Sequence, residues 1–120
     1  TEFRRVLFRS IFRLMKDYAG ETAELAMSLD VIYHLVEDEV FEQYMKDLFE
    51  AGSQYVIIYS SDFNDDENYQ GGHVRHREFT KWIHDNEPQW KLIEHRPNRY
   101  PYQGDDRSGS FAEFYIYGKN

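Results

Sequence analysis

The chain has no cysteine, only three prolines and only seven glycines in 120 residues. Without thiols there is no disulfide and no thiolate metal site, and that usage fits a reducing, cytoplasmic setting. No apolar run approaches the roughly 20 residues that cross a bilayer, and no secretory pattern is legible, so no membrane partner is expected. Basic residues are in short supply: 14 Lys and Arg stand against 22 Asp and Glu, a net charge of −8. Non-specific nucleic-acid binding depends on cations that neutralise phosphates, so nucleic acid is not an expected partner. The glycines, at 20, 52, 71, 72, 104, 109 and 118, never make a Gly-x-Gly.

What is present is enough to fold. Apolar residues make up 41% of the chain and aromatic residues 18%, which excludes a disordered composition and suits one small domain or part of a larger one. The first ten residues stand apart. Thr1 to Ser10 carry three of the 14 basic residues without a cap or a clean periodicity. Arg5-Val-Leu-Phe-Arg-Ser10 resembles the translation of a sequencing-adapter oligonucleotide, and Glu2-Phe3 that of a cloning site. Residues 1–10 are therefore set aside as adapter-derived. The alternative is a genuine basic arm. The remaining residues carry 11 basic and 21 acidic side chains, a net charge of −10.

Periodicity predicts an α/β order. Ile11 to Met15 and Leu25 to Leu29 are short strand candidates. Glu39 to Ala51 is the clearest helix, with Val40, Phe41, Tyr44, Met45, Leu48 and Phe49 on one stripe, Asp38 as its cap and Gly52 at its end. Tyr55 to Tyr59 is a continuous β-branched and aromatic run, as in a strand covered on both faces. Ser60 to Gly72 is polar and loop-like. A second helix is expected from about Arg77 to Asn86, stopped by Pro88. Trp90 to His95 and Phe111 to Tyr117 are the closing strands. The expected sheet is mostly parallel and finishes in an antiparallel pair.

The segment Leu25 to Asp38 carries the most chemistry. It is a strand ending in an acidic, His-bearing turn, and in open α/β sheets ligands bind outside the carboxyl ends of strands. Asp30 serves there as a ligand contact or as a turn former. His34 is a candidate general base, since an imidazole titrates near neutrality, or a packed side chain. His73, Arg75 and His76 form a candidate cationic cluster for an acidic substrate, or else polar contacts at a helix start. No third ligand accompanies His73 and His76 at motif spacing, so no metal is expected. Asp62 to Glu67 imitates the opening of a calcium loop but has Glu67 where glycine is required, and reads as a solvated loop. Arg99 and Tyr100 lie in the long loop before the last strand, at a substrate mouth or simply on the surface.

Two motifs in order resemble class I S-adenosylmethionine-dependent methyltransferases. Leu29-Asp-Val-Ile-Tyr-His-Leu35 is similar to the turn after their fourth strand, and His73-Val-Arg-His-Arg-Glu-Phe-Thr80 to the segment opening the helix after their fifth. The closing strand–loop–strand resembles their antiparallel sixth and seventh strands. The resemblance covers residues 11–120 and implies a partial Rossmann-like sheet, with Tyr55 to Tyr59 in its interior and a closing strand running against it. It implies cofactor contacts at Asp17, Tyr18, Leu29 and Asp30, catalysis at His34, and small-molecule acceptor contacts at His73, Arg75, His76, Arg99 and Tyr100. The glycine loop and the first two strands of that family have no counterpart here. The chain thus resembles the carboxyl-terminal half of such a domain, expected to be inactive and to bind no S-adenosylmethionine itself. The competing expectation is a stand-alone acidic α/β interaction module without a cofactor.

Overall fold

A computed structural model describes residues 18–65, 73–104 and 109–120. The expected strand Ile11 to Met15, the adapter-like segment and Asp17 lie outside the described residues. The elements are β1 (Ala23–Leu29), a 3-10 turn (Ile32–His34), α1 (Asp38–Ala51), β2 (Gly52–Ser60), α2 (Phe79–Asn86), β3 (Trp90–Arg96) and β4 (Glu113–Lys119).

The strands form one four-stranded sheet in the order β1-β2-β4-β3. β1 and β2 are parallel, with Met27 opposite Ile57, while β4 runs antiparallel to both β2 and β3. Tyr55 to Tyr59 is therefore an interior strand, as its sequence led us to expect, and has the antiparallel neighbour that the resemblance implied; its expected cover on both faces is not seen among the described residues, where Tyr55 is 43% exposed. The expectation of a mostly parallel sheet needs correction for the described residues: three of the four strands run the same way, but only one of the three pairings among them is parallel. The last strand is threaded between β2 and β3 and reverses both of its ladders.

Side-chain alternation along the strands explains the core. Val56 and Ile58 of β2 and Tyr115 and Tyr117 of β4 share one face, joined by Trp90 of β3. Phe41, Met45, Leu48 and Phe49 of α1 and Phe79 and Ile83 of α2 pack into the same buried cluster. Phe49 meets Trp90 and Tyr117 edge-on, Phe79 meets Tyr115 likewise, and Phe41 meets Trp82 between the helices. Val40, expected on this stripe, is exposed; it falls on the flank of the arc that Phe41, Met45, Leu48 and Phe49 trace at helical spacing.

The opposite face has no cover among the described residues. Leu25, Met27 and Leu29 of β1, Tyr55 of β2, Phe114 of β4 and Ile93 at the β3 bulge are each between 40% and 58% exposed. Ile57 stands among them, paired with Met27 on one side and Ile116 on the other. Such a continuous apolar stretch is foreign to a solvated sheet face.

Both ends of α1 differ from the simple capping expectation. Glu37 occupies the N-cap without a side-chain bond. The Asp38 carboxylate turns instead to Arg75 at 2.7 Å and Arg77 at 3.0 Å. Gly52 closes the helix with an ordinary extended backbone and begins β2 directly. Its lack of a side chain is required by space: a Cβ there would stand 2.7 Å from the Tyr55 carbonyl oxygen and 3.0 Å from Val56 Cγ2.

Candidate functional site

The site is assembled at the end of the sheet where parallel β1 and β2 terminate. Asp30 follows β1 with φ of 62°, a left-handed conformation that Asp tolerates better than most residues. Its amide donates to the Tyr59 carbonyl at 3.0 Å, so the turn after β1 is tied to the last part of β2. The Asp30 carboxylate accepts a short hydrogen bond from the Tyr33 hydroxyl. Burial, together with that bond and the charge of Asp30, pushes the Tyr33 phenol well above its ordinary value. Tyr33 is thus a fixed donor rather than a base.

The loop after β2 does what its acidic composition conceals. Asp62 accepts from the Thr80 amide at 3.1 Å and from the Thr80 hydroxyl at 2.7 Å, Asn64 from the Glu78 amide at 3.1 Å, and Asp65 from the His76 amide at 2.8 Å. Asp62 and Asn64 thus satisfy amides at the start of α2 that have no partner within the helix, and Asp65 holds the segment just before it. The Asp65 amide in turn donates to the His76 carbonyl at 3.2 Å, and the Arg75 amide to the Tyr33 carbonyl at 2.8 Å. His76 is thereby fixed between the turn after β1 and the loop after β2.

The His76 ring stacks on Phe63 at 4.4 Å and, further away, on Tyr33 at 6.0 Å. Phe111 stands edge-on to both His76 and Phe63, and Tyr102 stacks on Phe111 at 4.0 Å. The buried Ser61 hydroxyl lies 2.6 Å from His76 Nδ1. Burial lowers the His76 imidazole from its ordinary value, partly opposed by the Asp65 carboxylate. Tyr33, Ser61, Val74, His76, Tyr102 and Phe111 enclose most of a cleft of about 430 Å³, completed by Gly109, Ser110 and Ala112. Its far wall depends on Gly109, where a Cβ would fall 2.1 Å from the Pro101 carbonyl oxygen. The Ser110 amide donates to the Tyr100 carbonyl at 2.9 Å across that same approach.

The residues singled out from sequence are only partly brought together. Asp30 and His76 meet through Tyr33. His34 is exposed beside the Tyr33 ring, 4.5 Å between centroids. His73 is exposed, and Arg75 does not join a cationic cluster with His76: its guanidinium reaches Asp38 and the Val36 carbonyl. Leu29 points to the bare face of the sheet. Arg99 and Tyr100 are exposed, the guanidinium 5.9 Å above the ring. Tyr18 stands apart from Asp30, although both were expected in one cofactor set. Its phenol is pushed up by burial and by the carboxylates of Glu50 and Asp47 in the last turns of α1. That is the edge where β1 begins, and seven residues of strand, about 20 Å, separate it from Asp30.

Ser61, Tyr33, Phe63, Tyr102 and Phe111 were not singled out from sequence. Only the aromatic content of the loops hinted at them. Among the described residues no group of three or more His, Asp or Glu side chains gathers where it could hold a metal ion, and no helix is long and apolar enough to cross a membrane. No family model, curated protein or solved structure matches the chain.

Proposed function

We propose that residues 11–120 are the carboxyl-terminal half of a class I S-adenosylmethionine-dependent methyltransferase domain with a Rossmann-like sheet, whose parent enzyme transfers a methyl group from the cofactor directly to a small-molecule acceptor and of which this chain alone is inactive. The strand order β1-β2-β4-β3, with β4 alone reversed, supports this reading most strongly. It is the order and direction that the fourth, fifth, seventh and sixth strands of the resembling family would have.

The exposed face supports the fragment half of the reading. Sheets built around parallel strands are ordinarily covered on both faces, and among the described residues this one is covered on one. The residues of this chain do not fit the cofactor by themselves. They offer no Gly-x-Gly backbone for a close approach, and Tyr18 and Asp30 are too far apart to share one nucleoside. This half supplies the acceptor side: an aromatic cleft at the carboxyl end of the sheet, with His76 and Ser61 in its wall and His34 exposed beside the Tyr33 ring.

The acidic interaction module remains the second reading, and the bare apolar face favours it as well. The reading frame upstream of Ile11 in the source nucleic acid separates the two. A strand followed by Gly-x-Gly is expected. A native start codon directly before Ile11 would replace the methyltransferase half with the module.

A further inference from the structure

We infer that the cleft between Tyr33, His76 and Phe111 takes an uncharged, flat aromatic or heteroaromatic ring that bears a hydrogen-bond acceptor, with the acceptor met by Nε2–H of His76. Taking this ring to be the methyl acceptor rests on the methyltransferase reading; the binding itself does not.

Three observations lead there. The first is size and shape. A volume of about 430 Å³ is in the range that holds a small organic molecule. Its walls are ring faces and edges already arranged in contact: Tyr102 on Phe111, and Phe111 edge-on to His76. A planar guest extends that offset and edge-to-face packing, which rings favour. A saturated guest of equal volume does not.

The second is charge. Among the described residues none that lines the cleft is Lys, Arg, Asp or Glu. Of the described ions nearby, Arg75 is paired with Asp38, and the Asp30 and Asp65 carboxylates accept from the Tyr33 hydroxyl and the His76 amide. A charged guest would lose hydration without gaining a counter-ion, and an unpaired buried charge is costly.

The third is the tautomer of His76. Ser61 is buried, and its hydroxyl has one hydrogen-bond partner among the described residues, His76 Nδ1 at 2.6 Å. A buried hydroxyl with a single partner satisfies its proton by donating. Nδ1 is then the acceptor, and the neutral ring carries its proton on Nε2. Nε2, on the other side of the ring, has no partner among the described residues. His76 lines the cleft, so a guest that supplies a carbonyl, ether or ring-nitrogen acceptor is the one its free Nε2–H would meet.

The test uses the full 120-residue chain and aromatic-carbon NMR titrations with four probes of similar size: acetophenone, benzoate, benzylammonium and cyclohexyl methyl ketone. Acetophenone should shift the resonances of Tyr33, His76 and Phe111, and the other three should bind at least about tenfold more weakly. Long-range nitrogen correlation spectra should show the Nε2–H tautomer of His76. His76→Phe, which keeps a ring but removes the donor, should weaken acetophenone by about tenfold, the worth of one hydrogen bond. Ligand shifts outside the cleft, no shift with acetophenone, equal binding of either ion, or an Nδ1–H tautomer in the unmodified chain would each overturn the proposal. Ring binding by a chain whose completed reading frame shows no cofactor loop would leave the cleft standing and remove the methyltransferase reading. A cofactor-binding complete protein whose cleft ignores acetophenone would do the reverse.

Discussion

Ser61 and His76 lie towards opposite ends of the connection from β2 to α2, fifteen positions apart, yet Ser61 Oγ and His76 Nδ1 stand 2.6 Å from each other. The contact exists because the loop after β2 folds back on the start of α2 through Asp62, Asn64 and Asp65. It couples the end of a central strand to an imidazole in the wall of the cleft.

That imidazole makes stability depend on pH. Burial lowers the folded-state value of His76 below 6.5, and of the groups around it, Asp65 opposes the shift while Ser61 and the Asp30-bonded Tyr33 are uncharged. As pH falls through 6.5 the unfolded chain takes up a proton that folded His76 does not, so stability is lost from there down to the folded value. Above 6.5 both states are neutral and the contribution is complete. Urea unfolding of the unmodified chain and of His76→Phe at about pH 7.5 and about pH 5.5 checks the sign. The unmodified chain should lose more stability on acidification, and a larger loss in the variant would refute the placement of His76.

Arg77 is the second point of dependence. Its guanidinium donates to the Leu35 carbonyl, to the Val36 carbonyl at 2.7 Å and to Asp38 at 3.0 Å, over the Phe41 ring at 4.5 Å. One buried side chain thus joins the start of α2 to the turn before α1. Arg77→Ala strands those carbonyls and should cost about 3 kcal/mol. Arg77→Lys should recover less than half, because an ammonium does not reproduce the planar fork. Chemical denaturation reads both, and a loss below about 0.5 kcal/mol for the alanine variant would show that the clamp is not formed.

Gly52→Ala tests the junction of α1 and β2. The backbone there is ordinary, so conformational strain is not the issue; the new methyl would press on the Tyr55 carbonyl. A loss of about 1–3 kcal/mol is expected from overpacking. A neutral or stabilising effect in thermal unfolding would mean that the two elements do not meet so closely.

The bare sheet face should be visible in solution. A solvatochromic dye is expected to bind the folded chain, and the pair Met27→Lys with Ile93→Lys should reduce that binding without lowering the unfolding midpoint, since both side chains are about half exposed. Unchanged dye binding in the double variant would place the apolar surface elsewhere.

Much of this was legible from local pattern. The stripe of Phe41, Met45, Leu48 and Phe49 specified α1, and the run Tyr55 to Tyr59 specified an interior strand. Helical spacing and β-branching are short-range signals. Phe111, read as the start of the last strand, lies outside it and lines the cleft, since an aromatic residue beside a strand looks like one within it. The site was harder to see. Asp30 was visible because it ends a strand. Ser61 was not, because serine in a polar loop carries no pattern, and its importance arises from a contact across fifteen positions. Arg75 seemed to belong with His76 by adjacency, but side chains of neighbouring residues in an extended segment point apart, and Arg75 found Asp38 instead.

The central claim is that this chain is the acceptor half of a cofactor-binding sheet and lacks the cradle for the nucleoside. The most direct measurement is a calorimetric titration of S-adenosylmethionine into the polypeptide encoded by the completed reading frame, run beside the 120-residue chain. Micromolar binding by the completed protein and none by the 120 residues is the predicted result. Micromolar binding by the 120 residues alone, or none by the completed protein, would contradict it.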